Sequence, residues 1–252
     1  MTTKIQQFQT LHELSTAAAE LFCQVAAQSV KEHDHFTVAL SGGSTPRLLY
    51  EHLSWEPYLS RIPWPKTHIF WGDERYVASD HPDSNFAMAS QALIQHVPLP
   101  VEHIHRIQTE LASPEQTAEA YETTLRNCLS VFDPRSQQNN LPVFDLILLG
   151  MGPDGHTASL FPESPVLKEQ ARWVSATPAP KLNPPVQRIT LTYPVLNAGK
   201  TVLFLVSGGE KHALVQQILE HPQQAWQKYP AARINPSENL MWMLASESPP
   251  PS

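Results

Sequence analysis

Hydrophobic spacing alternates along the chain between a period near 3.6 and short continuous apolar runs. After Thr10, the residues Leu14, Leu21, Phe22, Val25 and Val30 recur at helical spacing, and Thr10 with Glu13 forms a capping box, so a first helix is expected to reach about residue 33. Phe36–Leu40 then reads as a short strand, followed by Ser41-Gly-Gly-Ser-Thr45 and by Pro46 in the first turn of a new helix. Thr67–Trp71 is a second strand ending in the turn Gly72-Asp-Glu-Arg75. Ser84 caps a helix to about His96, Ile104–Ile107 is a weaker strand, and Ser113 caps a helix to about 130. Val131–Val143 is polar and contains Pro, as a mobile link would. Phe144–Leu149 is a continuous apolar run, the mark of a strand covered on both faces. Further strands are expected at 173–176, 188–193, 201–206 and 241–245, with a helix at 210–220. Strands separated by helices imply βαβ units and a mostly parallel sheet, hence an α/β fold. No composition shift marks a boundary, so one domain is expected over residues 1–247, with a disordered Pro-rich tail at 248–252.

Composition changes this picture in one respect. The 252 residues include 24 Pro but only 9 Gly, where average usage gives roughly 13 and 18. Loops are therefore set mainly by Pro, and each Gly is a clue to positive φ or close backbone approach. Gly42 and Gly43 follow the first expected strand and Gly72 the second; Gly150, Gly152 and Gly155 follow Leu149; Gly208 and Gly209 follow Val206; only Gly199 lies elsewhere. In a parallel α/β sheet those strand ends share one edge, where ligands bind, although Gly is also common in ordinary βα turns.

Charge and targeting exclude several classes. The formal net charge is −7 and no Lys/Arg run occurs, so a nucleic-acid or anionic-membrane surface is not expected. No apolar run reaches the length of a membrane span and the N-terminus lacks a signal-peptide core, which implies a cytoplasmic protein. Cys23 and Cys128 lie in helical patterns and read as free thiols rather than a disulfide.

Candidate chemistry clusters beside the glycines. Ser41-Gly42-Gly43-Ser44-Thr45 joins a strand to a helix start, where backbone N–H groups and hydroxyls can cradle an anion; the alternative is a plain turn with Thr45 as N-cap. Gly150-Met-Gly-Pro-Asp-Gly155 fits the spacing of a dinucleotide fingerprint, but no acidic residue ends a second strand about twenty residues on, so that reading is set aside. Asp154-Gly-His156 offers a candidate general base with a carboxylate near enough to orient it, or merely a capping His. Asp73, Glu74, Arg75, Arg188 and Lys211 lie at strand ends, where each is either functional or ordinary surface charge. His33/His35 and His103/His105 are His-x-His pairs, but neither shows an evident third metal ligand.

These residues also carry a resemblance. Val38-Ala-Leu-Ser-Gly-Gly-Ser-Thr-Pro46, Trp71-Gly-Asp-Glu-Arg75 with His81 and Ser84-Asn85, and Phe144-Asp-Leu-Ile-Leu-Leu-Gly-Met-Gly-Pro-Asp-Gly-His-Thr-Ala-Ser-Leu-Phe-Pro162 resemble the 6-phosphogluconolactonase family. Pro184-Pro185, Arg188-Ile-Thr-Leu-Thr192, Gly208-Gly-Glu-Lys211 and Pro230-Ala-Ala-Arg233 continue the match, which covers about residues 10–245. Ala78 stands where the family often has Pro, and the end after Leu244 differs. The resemblance implies a Rossmann-like three-layer sandwich with helices on both faces, and hydrolysis of 6-phosphoglucono-1,5-lactone to 6-phosphogluconate, the second step of the oxidative pentose phosphate pathway. It implies His156 as general base with Asp154 beside it. It also implies a substrate and phosphate site of Ser41, Gly42, Gly43, Ser44, Thr45, Asp73, Arg75, Arg188 and Lys211. The related glucosamine-6-phosphate deaminases run Asp-Gly-His-Ile-Ala-Phe-Asn-Glu-Pro; here Phe161 stands at the Glu position and cannot transfer a proton. The expected partner is a small phosphosugar lactone bound without metal or cofactor, by a monomer or weak homo-oligomer.

Overall fold

The computed structural model describes residues 2–132, 141–181 and 183–248. Its centre is a seven-stranded sheet in the order β1-β10-β9-β6-β2-β3-β5, with every pairing parallel. The strands are β1 (Thr2–Phe8), β2 (Phe36–Leu40), β3 (Thr67–Trp71), β5 (Ile104–His105), β6 (Leu146–Leu149), β9 (Thr201–Ser207) and β10 (Asn239–Ala245). All residues of β2, β6 and β9 are buried, whichever face they point to. Such strands need cover on both sides, which accounts for their unbroken apolar runs. The helices are α1 (Leu11–His33), α2 (Ser44–Leu53), α3 (Asn85–Ala92), α4 (Pro114–Phe132), α5 (Tyr193–Ala198), α6 (Gly209–Glu220) and α7 (Pro222–Lys228); α1 packs on β2, and α2 and α6 pack on β9. The first begins as expected: Thr10 Oγ1 accepts from Glu13 N, and the Glu13 carboxylate accepts from Thr10 N.

Strand order positions the site. From β2 the chain steps outward to β3 and β5; from β6 it steps the other way, to β9 and β10. The switch point therefore lies between β2 and β6, and the loops leaving their carboxyl ends begin at Ser41 and Gly150. Open parallel sheets bind ligands in the crevice at this place.

Several expectations are corrected. Residues 73–75 are not a turn but a strand, β4 (Asp73–Arg75), in a separate antiparallel sheet with β8 (Arg188–Leu191) and β7 (Val174–Thr177), ordered β4-β8-β7. The strands at 174–177 and 188–191 thus lie outside the parallel sheet. Their two-residue alternation does not state which sheet they join, because that choice is made by distant partners. The helix from Ser84 ends at Ala92, where Leu93 takes φ −136° and ψ −63°, and a 3-10 turn carries on to His96. The edge strand β1 was not foreseen. Its sequence Thr-Thr-Lys-Ile-Gln-Gln-Phe is mostly exposed and polar, and it is held by a seven-residue register with β10. Within the expected mobile link, residues 133–140 lie outside the described residues, as do residues 249–252 of the expected tail.

Candidate active site

A cleft of about 260 Å³ opens at the switch point and is lined by all of Ser41–Pro46, with Asp73, Arg75, Asn85, His156, Arg188 and Lys211. Two larger surface grooves, of about 780 and 770 Å³, lie elsewhere. They hold fewer of the strand-end groups, and size alone does not choose between cavities.

The first wall is the loop after β2. Gly43, at φ 107°, is the N-cap of α2, so Thr45 is not the cap. Thr45 Oγ1 instead meets Ser207 Oγ at 2.6 Å, tying the helix start to the end of β9. Tyr50 pins the loop from below: its hydroxyl donates to Ser41 O and accepts from Ser41 N. Gly42 has no room for a side chain, since a Cβ there would meet Asn85 Oδ1 at 1.8 Å. The Ser41 hydroxyl is buried without a hydrogen-bond partner.

Opposite stands the small sheet. Arg75 and Arg188 face each other across the β4–β8 ladder. Like charges placed directly opposite are normally unfavourable. Arg75 Nη1 donates to Asp83 O and its Nε is buried without a partner. Arg188, only 5% exposed, donates to Val186 O and Pro184 O. Burial and then the neighbouring Arg75 charge lower its pKa. Lys211, in the first turn of α6, is lowered by burial as well. Among the described residues, none of these three cations has a carboxylate within salt-bridge distance. The lining therefore carries three cations against the single carboxylate Asp73, two positive charges in excess in a protein of net charge −7.

Asp73 is less available to a ligand than its neighbours. Its Oδ2 accepts from Ser159 Oγ at 2.6 Å, and Asn85 Nδ2 donates to its main-chain oxygen at 2.8 Å. Glu74, 2% exposed, accepts from the backbone N–H groups of Arg75, Asn85 and Phe86 and from Ser84 Oγ. Burial raises its carboxyl to about 7 despite those bonds.

The third wall is the turn after β6. His156 Nδ1 lies 2.6 Å from Asp154 Oδ1, and the same oxygen accepts from His156 N. Burial raises the Asp154 pKa, but the hydrogen bond and charge of His156 outweigh it and hold the carboxyl below its ordinary value. In a neutral ring, an Nδ1–H donated to the ionised Asp154 leaves Nε2 as the basic nitrogen. Asp154 is not among the lining residues; it stands behind the histidine. Gly152 permits this pairing, because a Cβ there would meet the imidazole at 2.1 Å. Gly155, at φ 77°, is packed under Tyr229. Ala158 is also left-handed, at φ 46°, which turns Ser159 toward Asp73. The Phe161 ring packs on His156 with centroids 4.6 Å apart.

The structure thus brings Ser41, Gly42, Gly43, Ser44, Thr45, Asp73, Arg75, Arg188, Lys211 and His156 to one cleft. Asn85 and Ser159 were passed over as site residues in the sequence. A Ser-Asn pair opening a helix was the available signal for Asn85; Ser159 had none, because its partner is 86 positions away. The reading of one histidine pair is also corrected. His33 and His35 do have a third potential ligand, Asp145, with donor atoms within 4.8 Å of one another. The Lys200 ammonium already stands there, 2.6 Å from Asp145 Oδ1 and 3.0 Å from His33 Nε2.

A parallel sheet with a cationic cleft and a His–Asp pair at its switch point defines the class, a doubly wound α/β enzyme fold. Residues 9–242 match the family model described as glucosamine-6-phosphate isomerases/6-phosphogluconolactonase. The chain is 42% identical over 221 residues to a 6-phosphogluconolactonase of Synechocystis, covering 88% of this chain and 86% of that protein. It is 39% identical over 246 residues to probable 6-phosphogluconolactonase 5 of Arabidopsis thaliana, covering 96% and 95%. Among solved structures, 6-phosphogluconolactonase from Leishmania guyanensis matches with a TM-score of 0.84 at 32% identity over 97% of both chains. The Thermotoga maritima 6-phosphogluconolactonase matches at 0.79 and 31%, over 97% of this chain and all of that one. The chain belongs to the glucosamine-6-phosphate isomerase/6-phosphogluconolactonase family.

Proposed function

We propose that this chain hydrolyses 6-phosphoglucono-1,5-lactone to 6-phosphogluconate, with His156 as general base and no metal in the reaction. The observation that carries this reading is His156, paired with Asp154 behind it, facing a cleft whose three cations have no carboxylate within salt-bridge distance among the described residues. Arg75, Arg188, Lys211 and the Ser41–Thr45 loop hold the phosphate. Their local charge acts at contact distance, whereas the diffuse negative charge of the molecule is screened over about 8 Å at physiological salt.

Nε2 of His156 takes a proton from water as its oxygen attacks the lactone carbonyl. A tetrahedral oxyanion forms, and the imidazolium is stabilised by Asp154. As the C1–O5 bond breaks, the imidazolium returns its proton to the ring oxygen. The new carboxylic acid then ionises to solvent. Each turnover consumes one water and restores the neutral imidazole. We assign the reaction to the cytoplasm.

The test is an assay of freshly generated 6-phosphogluconolactone with spontaneous opening subtracted. The wild-type chain should accelerate opening, and His156→Ala should lower kcat by roughly 100-fold or more while 6-phosphogluconate binding stays near wild type. Wild-type turnover in that variant rejects His156 as the base. Release of ammonia and fructose-6-phosphate from glucosamine-6-phosphate, without lactonase activity, rejects the whole reading.

A further inference from the structure

Phe161 is a ring neighbour of both halves of the cleft without being one of its lining residues. Its ring lies 4.6 Å from the His156 imidazole, at an interplanar angle of 40°. The Arg188 guanidinium carbon lies 6.0 Å from the same ring's centroid. The proton-transferring side chain and a cation of the anion site, 32 positions apart in sequence, therefore share one aromatic neighbour.

The backbone on either side of Phe161 is closely constrained. Thr157 and Leu160 form an isolated antiparallel bridge just before it. Pro162 follows, Phe161 O accepts from Ser164 N at 3.1 Å, and Glu163 is held at φ 65°. Arg188 is equally constrained on its far side by Pro184 O and Val186 O. The imidazole has Asp154 at Nδ1 and the Phe161 ring against its flank.

An aromatic face carries negative quadrupole charge and attracts a cation placed over it. Arg188 is a cation throughout, and His156 becomes one only while it holds the water proton. We propose that Phe161 is a positioning residue shared by the two subsites: its ring fixes the His156 imidazole, offers a negative surface to the imidazolium, and holds the Arg188 guanidinium on the phosphate. The contact with His156 serves turnover. The contact with Arg188 serves binding of the phosphate. An aliphatic side chain of similar bulk fills the same space but supplies neither a flat stacking surface nor a quadrupole.

This inference rests on the lactonase reading, so the wild-type chain is assayed beside every variant. Phe161→Leu should lower kcat by about three- to tenfold on both 6-phosphogluconolactone and unphosphorylated gluconolactone. It should weaken 6-phosphogluconate binding by a similar factor, again about three- to tenfold. Phe161→Tyr keeps the ring and should hold both quantities within about twofold of wild type. A merely structural role would lower Tm and leave kcat and Kd of the folded fraction unchanged in the Leu variant, which overturns the proposal. So does a Leu variant in which only one of the two quantities moves, or a Tyr variant as impaired as Leu. If Leu fails to fold, Phe161→Met carries the same comparison with Tyr. No lactonase activity in the wild type defeats the underlying reading instead, and is recognised before any variant is measured.

Discussion

Neighbouring glycines in the turn after β6 carry different constraints. Gly150 has nothing within 4 Å of where a Cβ would stand, while a Cβ on Gly152 would meet the His156 imidazole at 2.1 Å. Neither is at positive φ. Gly150→Ala should therefore leave kcat near wild type, whereas Gly152→Ala should displace the imidazole from Asp154 and lower kcat about 100-fold. Steady-state kinetics on both variants, with Tm as the control for folding, checks this pair. Equal effects would show that the turn tolerates or rejects side chains for a reason unrelated to His156. The concentration of Gly at strand ends was legible in the sequence because so few are present. Which glycine faced the histidine was not, since that depends on the ring's direction in space.

Glu74 shows how single elements are joined. It belongs to β4, yet its carboxylate accepts the N–H groups of Asn85 and Phe86, the first residues of α3, and the Ser84 hydroxyl. Strand and helix are thus bound through one buried side chain, and Arg75 beside it takes its direction from that junction. Glu74→Ala leaves these buried donors without an acceptor, which should cost about 3 kcal/mol or more in urea unfolding. It should also raise KM for the phosphorylated lactone more than for gluconolactone, because Arg75 loosens. A loss within about 0.5 kcal/mol, the range of an ordinary surface change, would contradict this account. The same junction explains what was hard to read. Gly72-Asp-Glu-Arg75 has the composition of a solvated turn, and only the β8 ladder makes it a strand. β2, β3, β6, β9 and the capped α1 were legible because local pattern and burial agree there. β1 and β4 were not, since each is fixed by a partner more than 100 residues away.

For the molecule as a whole, histidines make stability depend on pH. Around β3 and β5, the rings of His68 and His103 lie 3.8 Å apart, His68 Nδ1 meets His105 Nε2 at 3.2 Å, and Cys128 Sγ meets His105 Nδ1 at 3.7 Å. His33 and His35 approach from the other side, with Phe132 between His35 and His68. Asp145 and Lys200 pair with each other and with His33, and Asp34, paired with Lys66, lies near His35. Burial, and then the neighbouring histidines, push His68 down to about 3; burial and His103 push His105 down to about 4. Both stand at 6.5 when unperturbed. As pH falls through 6.5, the unfolded chain binds protons that the folded chain refuses, so stability is lost from there toward pH 4. Glu74 acts in the opposite direction. It stands at about 7 folded against 4.5 unperturbed, so the folded chain takes its proton first and gains stability as pH falls through that window. Two histidines against one carboxyl leave a net loss, to which the lowered His35 and His52 add. Tm should therefore fall between pH 7 and pH 5. The double variant His68→Gln, His105→Gln should flatten that slope, since neither amide titrates, and Glu74→Gln should steepen it. Thermal melts of the three proteins across this range decide the matter; a wild-type Tm that is flat or rises on acidification would refute the assignment.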